Sequence, residues 1–598
     1  MGPKKRVSPD LDPHPFNVIY IKNPSQEQLR RMAIEHTPAC YTTKHGNVNK
    51  IARNKARMAN YTYIIAPEED KAKYSGNLIA PEKAEQLLCA VWDYIERQGR
   101  LIEIQGYYGL SENASERFPI QWLYTMPAAN VAGMQQVLTF PREDVETSEE
   151  RSQVFKPVIR VVMVPEFPLC DMPGKQAMLV DLENWTTWVI GADYFGESKK
   201  GALRMLNDYV YQRGGLVLHA GAKAVSIQGK RVTMALLGLS GTGKTTTTFS
   251  KQGDTSEPIQ DDMICLWPNG RISITENGAF AKTFGLTRQT EPIIYRGSLD
   301  SAAWVENVYT DAEGAYDFSK SRMTVEEVRR FRTYLVITGA SAENIDAYIS
   351  GKVRFEDKVD EYGTPADGWD FLVWTQNGRS VIPMSKIEGA ADLLDIPPLQ
   401  SIGLLNRDEG PDAATPGIVR FVSMDQAAAY FMLGETSKTS AAGKERGKTR
   451  SPFTQPFFPR AMGLQAVRFS ELAKDIDDLE TWMMNTGYVG GDQLDVDAGK
   501  ALKVKIKHSS AMLEAMLAKK IVWKLDPDFG YEIADVDNPK NAELLAKVPK
   551  EVLNPMLFFE RTGKMDIYKA WVKKMKEERR AFLEKYKVDP KIIATIPK

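Results

Sequence analysis

The run Gly238-Leu239-Ser240-Gly241-Thr242-Gly243-Lys244-Thr245 satisfies the pattern G-x-x-x-x-G-K-[ST], and it stands after an apolar stretch at 231–238 and before Thr-rich residues that suit a helix start. A turn of this composition handles phosphate. Its glycines leave backbone N–H groups open to an anion, and the helix N-terminus adds a positive partial charge. Lys244 is placed to bridge β- and γ-phosphates, Thr246 continues the cradle, and the Thr245 hydroxyl suits Mg2+, a hard ion that takes few protein oxygens beside phosphate and water. Farther along, Gln260-Asp261-Asp262 precedes the apolar run MICLW at 263–267. A carboxylate at a strand end is the second half of a P-loop metal site, because it must neutralise the cation opposite the phosphates.

These groups need a scaffold to hold them. Strand-like runs precede the motif at 158–165, 176–182, 186–192, 216–221 and 231–238, each bounded by Pro, Gly or Asp turn signals. The pattern predicts an α/β fold with a P-loop mononucleotide-binding C-terminal domain. A boundary is expected near Val225, giving an N-terminal domain over 1–225 and a nucleotide- and metal-binding domain over 226–598. Residues 319–376 form a charged stretch with their own helix signals, a Thr324-x-x-Glu327 capping box and a stop at Gly351, and are expected to be an inserted subdomain. Earlier, 81–98 has a helical pattern and 61–65 a strand pattern. At the other end, 566–586 predicts a surface helix docked through Ile567, Trp571, Met575 and Phe582.

Composition excludes several classes. Lys and Arg total 77 against 78 for Asp and Glu, so no whole-molecule field favours nucleic acid or an anionic membrane. No apolar run reaches membrane-spanning length, and the basic start MGPKKR has no apolar segment behind it. Four scattered cysteines form no disulfide framework, and a cytoplasmic location is expected. With 598 residues the chain is long enough for two or three domains and a cleft.

The order and spacing of YFGESKKG (194–201), His219 in LVLHAG, GLSGTGKT, QDDMICLW, ENGAFAKT (276–283), TEP (290–292), NGRSVIPMSKIEG (377–389), GKERGKT (443–449) and NTGYVGG (485–491) resemble the ATP-type phosphoenolpyruvate carboxykinases over roughly 155–495. The resemblance implies a two-domain fold of that type. It implies Mn2+ held by Lys200, His219 and Asp262, with Mg2+ at Thr245. For oxaloacetate it implies Tyr194, Arg379, Arg57 and Ser240, and for ATP the loop residues 238–246 with Glu291 and Arg446. Lys199 would stabilise an enolate, Asp261 would orient metal-bound water, and residues 406–420 would form a lid. By itself a Lys-Lys pair is an ordinary solvated surface feature, and a lone His in an apolar strand an ordinary core residue.

The implied reaction converts oxaloacetate and ATP to phosphoenolpyruvate, CO2 and ADP, reversibly. The sequence departs from the family's pattern at Gln260, at Met263-Ile264 and at TRSPFTQPFF (449–458), which leaves ATP, GTP and pyrophosphate open as donors. It also leaves open a kinase of the same fold acting on a different small acid, alcohol or protein hydroxyl, and a non-catalytic nucleotide sensor. Oligomeric state is not legible.

Overall fold

The computed structural model describes residues 17–54, 59–111, 116–239, 241–250, 253, 255–360, 363–438, 447–455 and 457–598. It is a mixed α/β chain with several sheets. No helix among the described residues is long and apolar enough to cross a membrane. Two compact units divide it: the first holds 1–209, 274–388 and 456–460, the second 210–273, 389–455 and 461–598. This interleaving differs from the single cut expected near Val225. Val225 lies inside the strand Ala220–Ile227 of the second unit, hydrogen-bonded on both sides, so a boundary there would break a sheet.

The larger sheet of the first unit has eight strands, in the order Ile19–Lys22, Arg100–Tyr108, Phe118–Tyr124, Ile159–Val164, Thr186–Ile190, Ala177–Asp181, Thr62–Ile65, Asn77–Ile79. The runs expected at 158–165, 176–182 and 186–192 contain three neighbouring strands of this sheet, Ile159–Val164, Ala177–Asp181 and Thr186–Ile190, and every residue of those strands is buried. Strands covered on both faces read as continuous apolar runs for that reason. The helix Pro81–Gln98 opens on Pro81, whose missing N–H costs nothing there, and closes on Gly99 at φ 68°. Its Leu88, Val91 and Ile95 pack with Leu123, Val162, Leu179 and Trp188.

A second sheet of this unit runs Gly278–Lys282, Arg379–Pro383, Trp304–Glu306, Val48–Lys50, Cys40–Thr42. The stretch 319–376 follows its sequence signals: Thr324 and Glu327 cap the helix Val325–Ile337 reciprocally, and Gly351, at φ 74°, ends the helix Ala342–Ile349. Val328, Phe331, Leu335 and Trp374 pack with Ala39, Ile51 and Tyr309. The stretch therefore shares a core with the unit instead of closing one of its own.

The second unit is built on an eight-stranded sheet, in the order Thr255–Gln260, Ala220–Ile227, Lys230–Gly238, Leu399–Asn406, Glu480–Asn485, Ile418–Arg420, Glu532–Ala534, Trp523–Leu525. Lys230–Gly238, Leu399–Asn406 and Glu480–Asn485 are parallel, so Gly238, Asn406 and Asn485 end on one edge. The carboxyl ends of parallel strands are where α/β sheets place ligands. The C-terminal helix spans Met565–Lys585 and buries Tyr568, Trp571, Val572, Met575, Arg579 and Leu583. Ile567 is exposed and Phe582 half-buried, so the buried stripe is shifted from the expected one.

Candidate active site

In the second unit the strand Lys230–Gly238 runs into a tight turn and then the helix Lys244–Phe249. Gly241 and Gly243 have φ of 88° and 86°, a region that side-chain-bearing residues enter only with strain. Thr242 closes the turn, donating its N–H and its Oγ1 hydroxyl to the Leu239 carbonyl at 3.2 and 2.8 Å. Leu239 and residues 243–246 are half-buried. At the far end of the helix, buried Lys223 donates Nζ to Thr247 O at 2.5 Å and Ser250 O at 3.2 Å, and burial lowers its ammonium to about 7.

The turn faces an acidic residue and a histidine. Asp262 Oδ1 lies 3.1 Å from His219 Nε2 and 3.9 Å from Lys244 Nζ. The Gln260 side chain folds over this corner, its Oε1 accepting from Asp261 N at 2.7 Å and Asp262 N at 3.4 Å. His219 occupies the single residue between the strands Leu216–Leu218 and Ala220–Ile227. Its Nδ1 lies 2.7 Å from the Phe453 carbonyl, which can only accept, so Nδ1 carries a proton. A neutral ring then aims the Nε2 lone pair at a carboxylate oxygen, an arrangement that a shared cation or a second proton relieves. Two donors bound at right angles to one ion, each about 2.1 Å away, stand about 3 Å apart, and this pair fits that spacing.

In the first unit, Tyr194 is buried immediately before the helix Phe195–Gln212. Asn377 Nδ2 donates to Tyr194 Oη at 3.4 Å, and Asn377 Oδ1 accepts from Arg379 Nη2 at 3.0 Å, so one amide joins the two residues expected to bind oxaloacetate. The Arg379 guanidinium packs 5.2 Å from the Phe280 ring centroid, and Lys199 Nζ lies 5.0 Å from the same centroid. Lys199 and Lys200, far from being a solvated pair, are both buried. Lys199 Nζ is 3.1 Å from Glu276 Oε1, and Lys200 Nζ is 4.5 Å from the Phe457 ring centroid.

A row of charged groups braces Tyr194. Lys50, Glu306 and Arg379 are register partners across three neighbouring strands. Glu306 Oε1 accepts from Phe195 N at 3.2 Å, and burial raises its carboxyl to about 8. Burial would also raise Asp193, yet Lys50 at 3.2 Å and the N–H groups of Arg53 and Asn54 hold it below its ordinary value.

Among the expected residues, Tyr194 and Arg379 come together in the first unit, and His219, Asp262 and Lys244 in the second. Lys200 belongs to the first unit. Glu291 also lies there, at the N-cap of the helix Pro292–Leu299. Arg57, Ser240 and Arg446 lie outside the described residues. Among the described residues no three His, Cys, Asp or Glu side chains converge. The stretch expected to be a lid is knit to itself: Asp408 Oδ2 accepts from Ala414 N, Thr415 N and Thr415 Oγ1, and Lys448 pairs with Asp408 and Asp412. Asn377, Glu276, Asp193 and Glu306 were not singled out by sequence. Three of them stand inside or beside runs that carried the resemblance, Asn377 at the start of NGRSVIPMSKIEG, Glu276 in ENGAFAKT and Asp193 just before YFGESKKG.

Comparison with known proteins gives the family of this mixed α/β chain directly. The model of the phosphoenolpyruvate carboxykinase family matches residues 18–348 and 364–539, and the chain belongs to that family. The match begins well before residue 155 and runs through most of 319–376, leaving only 349–363 of that stretch unmatched. Among curated relatives, the phosphoenolpyruvate carboxykinase (ATP) of Aeropyrum pernix is 26% identical over 527 residues, covering 86% of each chain. Those of Geobacillus thermodenitrificans and Staphylococcus aureus are 26% and 24% identical, covering 83% and 75% of the relative and 86% and 79% of this chain.

Proposed function

We propose that this chain is an ATP-dependent phosphoenolpyruvate carboxykinase, which decarboxylates oxaloacetate and moves the γ-phosphoryl group of ATP onto the resulting enolate, reversibly. The observation that carries this reading is Asp262, whose Oδ1 faces both His219 Nε2 and the P-loop Lys244 Nζ. A phosphate-directed ammonium and a cation-directed His–Asp pair share one carboxylate. The relatives named phosphoenolpyruvate carboxykinase (ATP) support ATP as the donor.

His219 and Asp262 would hold Mn2+, and the Thr245 hydroxyl would hold Mg2+ beside the phosphates. Bound there, the two cations supply Lewis-acid stabilisation of enolate and phosphoryl oxygens. The remaining work falls to the chain's own groups. Arg379 takes a carboxylate of oxaloacetate in planar bidentate fashion, its fork oriented by the Asn377 amide. Tyr194, held between Asp193 and Phe195, gives the substrate a fixed edge. Lys199, neutralised by Glu276, offers its ammonium to the developing enolate charge. Lys244 and the backbone N–H groups of Leu239 and 241–245 follow the charge on the transferred phosphoryl group without reorganising. Asp261 orients water next to Asp262.

The test is a coupled assay for phosphoenolpyruvate from oxaloacetate with Mn2+ and Mg2+ and each of ATP, GTP and pyrophosphate. Product with ATP supports the proposal. Product with another donor alone corrects the nucleotide, and no product from protein that still binds ATP points to a kinase on another acceptor.

A further inference from the structure

Beyond residue 539, where the family match ends, the chain continues into the helix Met565–Lys585, and one of its residues reaches deep into the second unit. Arg579 is almost fully buried. Its Nε and Nη2 donate to the two oxygens of Glu435 at 2.9 and 2.7 Å, its Nη1 donates to Tyr430 Oη at 3.1 Å, and its plane lies 5.0 Å from the Tyr430 ring centroid and 4.9 Å from that of Phe529. Glu435 opens a two-stranded hairpin, Glu435–Lys438 with Gly447–Arg450, and faces Arg450 across it. Arg450 Nε donates to Glu435 Oε1 at 2.7 Å, and its Nη1 donates to Glu578 of the same C-terminal helix at 2.7 Å. Burial would raise the Glu435 carboxyl, but the two guanidinium groups hold it at about 2.

The hairpin is wired to the phosphate loop. Ser437 N donates to Arg407 O at 2.7 Å, next to Asn406 at the end of the strand Leu399–Asn406. Thr486 ties that strand end to the loop: its N donates to Asn406 O at 2.8 Å, and its Oγ1 lies 3.1 Å from Asn406 O and 2.8 Å from Thr242 O. A continuous path thus leads from the loop through Thr486, Asn406–Arg407 and the hairpin to Arg579, and a cavity lies along it, lined by Asn406, Arg407, Lys448, Thr449, Arg450 and Arg579.

We propose that Arg579 is a positioning residue for the nucleotide: the C-terminal helix, through the Arg579–Glu435–Arg450 triad, sets the hairpin beside the phosphate loop and so sets ATP affinity. The inference rests on the carboxykinase reading. A fork bonded to both carboxylate oxygens fixes orientation as well as charge, which a lysine cannot do. A brace of this kind acts on nucleotide binding alone, whereas general structural damage lowers the fraction of active protein and therefore kcat.

The experiment compares wild type, Arg579→Met, Arg579→Lys and Glu435→Gln in full-length protein, measuring ATP binding directly by titration and, separately, kcat and the KM values for ATP and oxaloacetate. Arg579→Met is expected to weaken ATP binding and raise its KM by about tenfold or more, with kcat and the KM for oxaloacetate changed less than about twofold. Arg579→Lys and Glu435→Gln are expected to fall between. Equal ATP affinity in wild type and folded variants, or a fall in kcat with both KM values unchanged, overturns the proposal; if Arg579→Met does not fold, Arg579→Lys and Glu435→Gln decide it. Wild type that fails to bind ATP overturns the ATP-dependent reading on which the inference rests, a result distinct from either.

Discussion

Lys199 Nζ stands 3.1 Å from Glu276 Oε1, and neither side chain is exposed to solvent. A buried ion pair of this kind is weak evidence for stability as a pair, but removing one partner strands the other charge at about 3–5 kcal/mol. Glu276→Ala is expected to destabilise the protein by that order in denaturant unfolding and to lower kcat. Lys199→Met, which removes the charge and keeps the stem, strands the Glu276 carboxylate in turn and is expected to cost stability of the same order and to lose kcat. Unchanged stability in both variants would contradict this account.

His219→Ala removes one of two donors facing a shared position. Mn2+ affinity, followed by titration of the bound ion, is expected to fall by more than the roughly 10–100-fold that loss of an outer-shell partner costs. ATP binding is expected to survive, because the turn at 239–243 is closed by Thr242 and not by His219. Loss of both together would mean that His219 shapes the loop rather than a cation site.

Arg379 and Tyr194 are joined through Asn377. Arg379→Lys keeps the charge and loses the fork, and is expected to raise the KM for oxaloacetate by about 10–100-fold. Asn377→Ala is expected to give a smaller rise of the same kind. Neither is expected to change ATP binding measured without oxaloacetate.

Glu306 carries the clearest pH dependence. Burial raises its carboxyl to about 8 from an ordinary value of 4.5, so the native state holds a proton that the unfolded chain releases. Its contribution to stability is complete below about 4.5, declines as pH rises, and is lost once pH passes about 8, a change on the order of a few kcal/mol. Lys50, Asp193, Arg379 and Cys40 are the titratable or charged neighbours that interact with it. Glu306→Gln, a neutral isostere, is expected to flatten the stability profile between pH 5 and 8. An unchanged slope would place the proton elsewhere.

Local signals were legible in the sequence wherever local physics decides. The helix Pro81–Gln98 has Pro at its first position and Gly just past its last, and the capping box at Thr324 needs only four residues to form. The buried strands around 159–190 announced themselves as apolar runs for the same local reason. What was not legible depends on pairing between distant segments. Strand Trp304–Glu306 sits between Val48–Lys50 and Arg379–Pro383, and no composition shift marks that the chain re-enters its first unit after residue 273. The site divides likewise. The Gly-rich turn before Lys244 and the acidic pair Asp261–Asp262 are expected from spacing, and Lys200 and His219 from resemblance. Asn377, Glu276 and Glu306 gain meaning only once folding puts them against Tyr194, Lys199 and Arg379. A Lys-Lys pair gives no sign in sequence that both residues are buried.

The central claim is that the γ-phosphoryl group of ATP ends on the enolate of oxaloacetate. Its most direct test is incubation of the protein with γ-labelled ATP, oxaloacetate, Mn2+ and Mg2+, followed by separation of the labelled products. Label in phosphoenolpyruvate, released in step with CO2 and abolished by His219→Ala, is the expected result. Label that appears only in inorganic phosphate or in another acceptor, while oxaloacetate is untouched, would contradict it.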